Sequence, residues 1–364
     1  MALSPEKEKM NEPGPFKILV LRYRFIGDTI LTVPFLRNLR RAEPDAEIHL
    51  VLAPISGDVL KGIPYVDQIL YWDPQTIHAD SMGTHRTWRD KWGFIKQLQR
   101  FGYSKVYNLK RSFSSGVMGY LTGAPERIGF DTEGRGLLLT KPVRYEHQLH
   151  EVQNFLNCLR CDGIEVFDDH LETWISEEER EASTKFLTDQ GWRPKEPIIA
   201  IHPFSAVRER SWPMNRFIQL ANDLHYKRGW PVLWLGGKKD RAFETQITTE
   251  FKGKPLMAIG RTNIRESMAL LSLCRLFVGN DSGIMHLAAA LHIPLVTFFG
   301  PQSETKFGPW EDPNRCRVLS KRFPCHPCRQ KFFSECRPGP EGRPLCMESI
   351  SLDDAIEEIN HLIK

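Results

Sequence analysis

The chain has 364 residues, of which 41% are hydrophobic and 26% are charged, and its formal net charge is +4. This composition is typical of a globular protein and argues against a disordered chain, and no apolar run approaches the ~20 residues that cross a bilayer. The net charge makes nucleic-acid binding a weak expectation, and the length predicts two domains.

The first predicted structural unit follows a tail. Residues 1–15 carry acids, lysines and prolines but no apolar signal-peptide core, so we expect a disordered tail and no export. Residues 17–23 form a branched apolar run that predicts a buried strand, and a helix follows over 29–41, where Pro34 either kinks the helix or begins its regular part. With a second apolar strand at 47–53, this order predicts a parallel βαβ unit.

The same alternation continues along the rest of the chain and then restarts. Further strands are predicted at 68–72, 105–109, 127–130, 197–202, 230–235, 276–279 and 295–299. Helices are predicted at 176–190, 215–228, 265–273, 283–291 and 352–363.

We therefore predict an α/β protein with two Rossmann-like, doubly wound halves that face an interdomain cleft. The predicted amino-terminal domain covers residues 16–175, the carboxy-terminal domain covers 176–350, and a carboxy-terminal helix covers 351–364. Because open parallel sheets bind ligands beyond the carboxyl ends of their strands, we expect the site in the cleft.

A basic and aromatic stretch lies between residues 85 and 111. It has eight lysines and arginines against one acidic residue, together with two tryptophans. Such a helix suits an anionic surface, for example phospholipid or a phosphorylated glycolipid, because cations contact phosphates while aromatic rings lie in the interface. The alternative is a solvated helix face that packs through its tryptophans.

Three segments carry a family resemblance. They are KILVLRYRFIGDTILTVPFLRNLR (17–40), HPFSAVRERSWPMNRF (202–217) and GNDSGIMHLAAALHIPLVTFFGPQSETKFGPW (279–310). Together with NLKRSFSSGVMGYLTGAPERIGF (108–130), they resemble glycosyltransferase family 9, the bacterial heptosyltransferase family of lipopolysaccharide synthesis. The resemblance implies a GT-B fold, a nucleotide-sugar donor such as ADP-heptose, an inverting transfer that needs no metal or other cofactor, and a glycolipid acceptor. It also implies a cytoplasmic protein with peripheral contact to the inner membrane.

The amino-terminal segment contains the candidate base. Asp28 follows the first strand, where a carboxylate can take the proton of an attacking hydroxyl, and the resemblance assigns that role to the aspartate of the Gly27–Asp28 pair, with Gly27 a candidate for acceptor binding. Alternatively, Asp28 is the N-cap of a helix. Arg22 and Arg24 are candidates for orienting an anionic acceptor, with surface charge as the alternative.

The segment that matches the acceptor domain of the family adds three candidates for acceptor binding. They are Lys110, Arg111 and Ser112.

The predicted donor site lies in the second half. Asp281, Ser282 and Gly283 follow a strand and open a helix, a geometry that attracts phosphate. The resemblance assigns sugar hydroxyls to Asp281 and a position near the phosphates to His286. The alternatives are that Asp281 caps the helix and that His286 packs beneath it.

Three further residues are donor candidates. Arg210 is the predicted cation for the leaving diphosphate, and Ser205 would add a hydroxyl. In the well-known members of the family an acidic residue that can hold the ribose follows the glycines directly, whereas here Lys238 and Lys239 precede Asp240. Either Asp240 holds the ribose from this shifted position or the nucleotide is held differently.

The state of four cysteines has two interpretations. Cys325, Cys328, Cys336 and Cys346 lie in a loop-like stretch, where they either hold a structural zinc or are free or redox-paired thiols.

Three functional alternatives accompany the heptosyltransferase hypothesis. They are a family 9 enzyme with another nucleotide-sugar, a sugar-nucleotide epimerase and a non-catalytic nucleotide-sugar-binding protein.

Overall fold

The computed structural model describes residues 16–23, 25–74, 83–326, 328, 330 and 332–363. The predicted tail, residues 1–15, lies outside these ranges, as does Arg24. The strands of the first parallel sheet are β1 (Lys17–Leu21), β2 (Glu47–Leu52), β3 (Gln68–Tyr71), β4 (Lys105–Asn108), β5 (Glu126–Phe130) and β6 (Lys141–Val143). Those of the second are β7 (Ile199–His202), β8 (Val232–Trp234), β9 (Leu256–Met257), β10 (Leu276–Asn280), β11 (Leu295–Phe299) and β12 (Cys316–Ser320).

Both sheets have the doubly wound strand order. The first runs β3-β2-β1-β4-β5-β6, and the second runs β9-β8-β7-β10-β11-β12, with every pair parallel. The predicted α/β fold with two Rossmann-like halves is confirmed. The strand order reverses between β1 and β4 and again between β7 and β10, which are the points where ligands bind in such sheets.

The strands that sequence reasoning missed lie at or beside the sheet edges. β6, β9 and β12 are edge strands, so each has a hydrogen-bonded neighbour on one side alone. The central strands are covered on both faces and read as continuous apolar runs, whereas β6 and β9 have three and two residues and β12 is half-buried. An apolar run is therefore a strong signal for the central strands and a weak one for short or half-buried edge strands such as these three.

Fourteen α-helices connect and cover the sheets within the described ranges. They are α1 (Ile26–Ile30), α2 (Val33–Ala42), α3 (Pro54–Gly57), α4 (Trp88–Phe101), α5 (Phe113–Leu121), α6 (Glu151–Cys161), α7 (Glu177–Thr188), α8 (Met214–Arg228), α9 (Glu244–Glu250), α10 (Ile264–Leu271), α11 (Gly283–Ala290), α12 (Glu304–Phe307), α13 (Leu345–Glu348) and α14 (Leu352–Leu362). None of these helices is long and apolar enough to cross a membrane.

The first predicted helix is divided in two. Residues 31 and 32 separate α1 from α2, and Pro34 is the second residue of α2, where its missing N–H costs no hydrogen bond. The short α1 thereby places Asp28 in its own turn at the carboxyl edge of the first sheet. The chain passes to the second half between α6, which packs on α2, and α7, which packs on α10. The exact domain limits stay predictions.

Candidate functional site

Asp28 is held by a buried cation. Its Oδ2 lies 2.8 Å from Nη2 of Arg22, whose side chain is 6% exposed and whose guanidinium lies 4.9 Å from the centre of the Phe155 ring. The N-cap of α1 is Phe25, and no side chain caps that helix. Asp28 is therefore not the N-cap, and Arg22 is not a surface charge. The ion pair fixes the carboxylate beyond the end of β1.

The other acceptor-side candidates follow β4. Lys110 Nζ lies 5.4 Å from the centre of the Tyr23 ring, and Ser112 is the N-cap of α5. Arg111 Nη2 lies 3.5 Å from Oε1 of the buried Glu151. Because β1 and β4 are neighbours in the sheet, these three residues and Asp28 lie at the same edge.

The two halves touch through glycines. A Cβ on Gly27 would lie 2.6 Å from Cδ2 of His286, and a Cβ on Gly283 would lie 2.9 Å from Cβ of Ile26. Only hydrogen fits at both positions, so α1 packs closely on α11. The sequence places Gly283 at a helix start that attracts phosphate, which stays a prediction, and in this structure its missing side chain also lets the opposite domain approach. The close contact brings Asp28 next to the start of α11.

The donor candidates after β7 and β10 lie next to one another. Ser282 is the N-cap of α11, and its Oγ accepts a bond from the Met285 N–H at 3.4 Å. Asp281 is therefore not the cap of this helix. Ser205 Oγ donates to the Asp281 carbonyl at 3.2 Å, which joins the loop after β7 to the loop after β10.

Asp281 and Arg210 form a second acid–base pair. Arg210 Nη1 lies 3.6 Å from Asp281 Oδ2, and Arg210 also donates to the Gln330 side chain. No described residue makes a hydrogen bond to Asp281 Oδ2 or to Arg210 Nε, although both atoms are buried. Burial raises the pKa of Asp281 to about 6, with Arg210 acting to lower it and Asp28 to raise it. Unsatisfied polar atoms of this kind are costly unless a ligand completes them.

Two buried histidines lie beside this pair and are neutral. Burial lowers the pKa of His286 to about 4 and that of His202 to about 4. His286 Nδ1 has no hydrogen-bond partner among the described residues, and its ring packs on Gly27. His202 Nδ1 lies 3.3 Å from Ser282 Oγ. His286 is thus an interdomain packing residue here, and sequence reasoning assigned no role to His202 because it ends a strand.

Asp240 has a local structural role. Its Oδ2 accepts a bond from the Gly237 N–H at 2.8 Å and so closes the turn after β8, and burial raises its pKa. The other oxygen is the one that would be available to a ribose. The shifted ribose contact stays a prediction.

Two site residues were missed by sequence reasoning. Lys306 lies in α12, after β11, and its Nζ is 4.5 Å from the centre of the Tyr145 ring in the first half. Lys306 lies in the segment that carries the family resemblance, and its positive charge and its position after a strand could have identified it as a candidate. No sequence feature marks Tyr145 as a site residue, because aromatic residues in loops are common.

The four cysteines of the carboxy-terminal loop share one neighbourhood. Burial raises the pKa of the Cys346 thiol to about 11, and Cys325, Cys328 and Cys336 raise it further through their charges. All four are free thiols. The described residues contain no group of three or more His, Cys, Asp or Glu side chains placed to hold a metal ion. Structural zinc stays a hypothesis, which metal analysis of protein purified without chelator tests.

The site has a carboxylate on one side of the cleft that could accept a proton and cationic groups on the other side that could bind an anion. The Arg22–Asp28 pair at the switch point of the first sheet faces the Arg210–Asp281 pair at that of the second, and the charge of Asp28 acts on Asp281. One carboxylate is positioned to accept a proton, while a guanidinium and the start of α11 are positioned to bind negative charge.

Known proteins share this architecture over nearly the full length. A family model described as glycosyltransferase family 9 (heptosyltransferase) matches residues 91–336. The chain is 26% identical to lipopolysaccharide heptosyltransferase 2 of Escherichia coli K12 over 358 residues, which is 95% of this chain and 98% of that protein. A family 9 glycosyltransferase from Veillonella parvula superposes with a TM-score of 0.80 at 23% identity, over 95% of this chain and 97% of the other.

A further solved structure has the same fold. The E. coli ADP-heptose lipopolysaccharide heptosyltransferase II superposes with a TM-score of 0.73 at 22% identity, over 95% of this chain and 98% of that one. These likenesses confirm the GT-B fold, and the family model covers well over half of the sequence. The chain belongs to glycosyltransferase family 9 and is a glycosyltransferase.

Proposed function

We propose that this enzyme transfers heptose from ADP-heptose to a lipopolysaccharide-core acceptor, with inversion at the anomeric carbon and without a metal. The names of similar proteins support heptose as the sugar and lipopolysaccharide as the acceptor. Family membership favours transfer over the epimerase and the non-catalytic binding protein. Another nucleotide-sugar is the second candidate, because Asp240 departs from the expected ribose position.

The observation that carries this proposal is that the Arg22–Asp28 pair of the first half faces the Arg210–Asp281 pair of the second half. In the proposed reaction, Asp28 takes the proton from the acceptor hydroxyl as its oxygen attacks the anomeric carbon. The bond from that carbon to the diphosphate breaks, and the electron pair leaves with ADP. Arg22 lies 2.8 Å from the Asp28 carboxylate and so fixes its orientation, and the proposed inversion requires this base on the face opposite the diphosphate.

The donor half would stabilise the leaving group. Arg210 can pair with the diphosphate once it turns from Asp281, and Ser205, Ser282 and the first N–H groups of α11 can donate to its oxygens. Asp281 would then accept bonds from the sugar hydroxyls through its unpartnered Oδ2. On the acceptor side, Lys110, Arg111 and Ser112 would bind the acceptor near Asp28.

Substitution of Asp28 tests this proposal. We expect Asp28→Ala and Asp28→Asn to lose transfer by at least about a hundredfold while the Kd for ADP-heptose stays within a few-fold, because the base contributes to the reaction and not to donor binding. Radiolabelled transfer and calorimetric donor binding measure the two effects. The exposed Asp45→Ala is the control. Turnover of Asp28→Asn near the original rate would refute the assignment of Asp28 as the base.

Incubation with donor alone distinguishes a transferase from an epimerase. An epimerase would equilibrate the isomers of the donor, whereas a transferase would return most of it unchanged.

We also propose that the protein acts in the cytoplasm, at the inner membrane, and contacts the bilayer through α4. Phe94, Ile95 and Leu98 fix this helix to the domain, whereas Trp88 is 86% and Trp92 is 49% exposed. Arg89, Lys96 and Arg100 are also exposed on α4. Exposed indoles flanked by cations suit the interface of an anionic bilayer.

Vesicle sedimentation tests the membrane contact. We expect the protein to bind vesicles in which about one third of the lipid is phosphatidylglycerol, and to bind them more weakly at high salt. The double variant Trp88→Ala, Trp92→Ala should bind the same vesicles at least tenfold more weakly. Tyr226→Ala is the matched control, because Tyr226 is a 90% exposed aromatic residue in the other half. Equal binding of the double variant and the original protein would contradict the proposal.

A further inference from the structure

The segment after β11 is attached to the opposite domain. His150 Nε2 donates to the Gly308 carbonyl at 3.0 Å, and the His150 ring stacks on Trp310 at 4.6 Å between centres. Nδ1 of His150 accepts from the Val152 N–H, which leaves the proton on Nε2 for the bond to Gly308. These contacts fix the backbone close to Lys306, so this lysine is held in the cleft by its neighbours.

Lys306 shares an aromatic ring with a second cation. The Tyr145 ring centre lies 4.5 Å from Lys306 Nζ and 4.5 Å from Arg111 Cζ, so one cation comes from each half of the protein. Tyr145 is 4% exposed, and its hydroxyl donates to Glu151 Oε1 at 2.7 Å. The ring is therefore a fixed platform for both cations, and Arg111 acts electrostatically on Lys306.

The charges in this cluster do not balance. Glu151 is buried, accepts from Tyr145 and lies 3.5 Å from Arg111 Nη2. Lys306 has no ion-pair partner among the residues that the structure describes. Burial lowers the pKa of Lys306, and the nearby Arg111 lowers it further, with Glu151 acting in the opposite direction. Two cations beside one carboxylate leave a positive charge in a partly desolvated place, where an anion would be bound more strongly than in water.

We propose that Lys306 and Arg111 form an anion-binding subsite, shared by the two domains, that takes a carboxylate or phosphate group of the acceptor. This inference rests on the proposed function and adds a donor-domain residue to acceptor recognition. The subsite lies in the same cleft as the candidate base, and Arg22, the partner of Asp28, acts electrostatically on Tyr145. Since each domain supplies one cation, the anion is fully bound when the cleft is closed. An acceptor that carries the charge is thereby selected over a neutral one.

Steady-state transfer with chemically altered acceptors tests this subsite. The probe is the deacylated oligosaccharide of heptose-deficient lipopolysaccharide, used untreated, with its carboxyl groups amidated, with its phosphates removed, or with both treatments. We expect Lys306→Met to raise the KM of the untreated acceptor at least tenfold, while kcat and the KM of ADP-heptose stay within twofold. Lys306→Arg should retain most of the affinity, and the exposed Lys252→Met is the matched control.

The altered acceptors identify the anion. If amidation of the carboxyl groups removes the difference in KM between Lys306→Met and the original protein, a carboxylate occupies the subsite. If removal of the phosphates does so, a phosphate occupies it. An unchanged KM for the untreated acceptor in Lys306→Met overturns the proposal, as does a rise that persists after both treatments.

A binding arm separates this proposal from the proposed function. The Kd of the untreated oligosaccharide is measured by calorimetry without donor. A tenfold weaker Kd in Lys306→Met supports the subsite even if ADP-heptose proves not to be the donor. Failure of the oligosaccharide to bind the original protein refutes the subsite, whatever donor is used.

Discussion

The ionisation of Asp281 costs stability, and Asp281→Asn should recover it. The carboxylate is 12% exposed, its nearest cation is 3.6 Å away, and no described residue hydrogen-bonds to its Oδ2. Burial raises its pKa from 3.8 to about 6 in the folded protein. At about 1.4 kcal/mol for each pKa unit, the ionised side chain destabilises the fold by about 3 kcal/mol. Asn has nearly the same shape and carries no charge.

The sign of the pH dependence follows from the raised pKa. The folded state holds the proton more tightly than the unfolded state does, so the cost is absent below pH 3.8, grows as pH rises and is complete above about pH 6. We expect Asp281→Asn to exceed the original protein in unfolding free energy by about 3 kcal/mol at pH 8 and by about half that at pH 5. For a domain of this size, the difference at pH 8 raises Tm by roughly 6 to 12 °C.

Thermal and urea unfolding of the ligand-free protein at both pH values measure the difference. The same variant should lose donor binding, because the unpartnered oxygen is the proposed acceptor of sugar hydroxyl bonds. The exposed Asp45→Asn is the control, because it makes the same chemical change where the carboxylate is not buried. If Asp281→Asn is no more stable than the original at pH 8, or if its advantage is the same at pH 5, the electrostatic argument is wrong.

Two further predictions concern the diphosphate and the domain contact. Arg210→Met should weaken ADP-heptose binding by about ten- to a hundredfold, since a charge-assisted bidentate contact is lost, and calorimetry that finds an unchanged Kd would contradict this. Gly27→Ala should lower transfer and enlarge the radius of gyration in solution scattering, because its Cβ would lie 2.6 Å from the His286 ring and separate α1 from α11. Adding His286→Ala should reverse the enlargement, and failure of the second substitution to do so would argue against a steric cause.

Local patterns were sufficient for the fold and for most candidate residues. Buried parallel strands have no polar face, so runs such as residues 17–21 and 295–299 identify the central strands directly. Because strand follows helix in both halves, the sequence also predicts that the loops after β1, β4, β7 and β10 share the carboxyl edges. Asp28 and Asp281 became candidates through that geometry together with the family resemblance, and Arg210 became one as the cation for the leaving diphosphate.

The pairing of these residues required the tertiary structure. Neither the ion pair between Arg22 and Asp28 nor the burial of Asp281 follows from spacing, because both depend on how the chain turns after a strand and on what covers it. Asp28 is the clearest case. From the sequence alone, an aspartate near a helix start could equally well be an N-cap or one member of an ion pair. Which hydrogen bonds it makes depends on a cation that lies on another part of the loop.

The sequence by itself determined two doubly wound halves and their family, and it predicted a carboxylate opposite a helix start, because these depend on local periodicity and on residues adjacent in the chain. Only the tertiary structure decided that Gly283 admits Ile26 and that Lys306 shares the Tyr145 ring with Arg111. Gly283 and Ile26, like Lys306 and Tyr145, are more than a hundred positions apart and meet across the cleft. Their geometry depends on the close approach of two separately folded surfaces, about which no local pattern carries information.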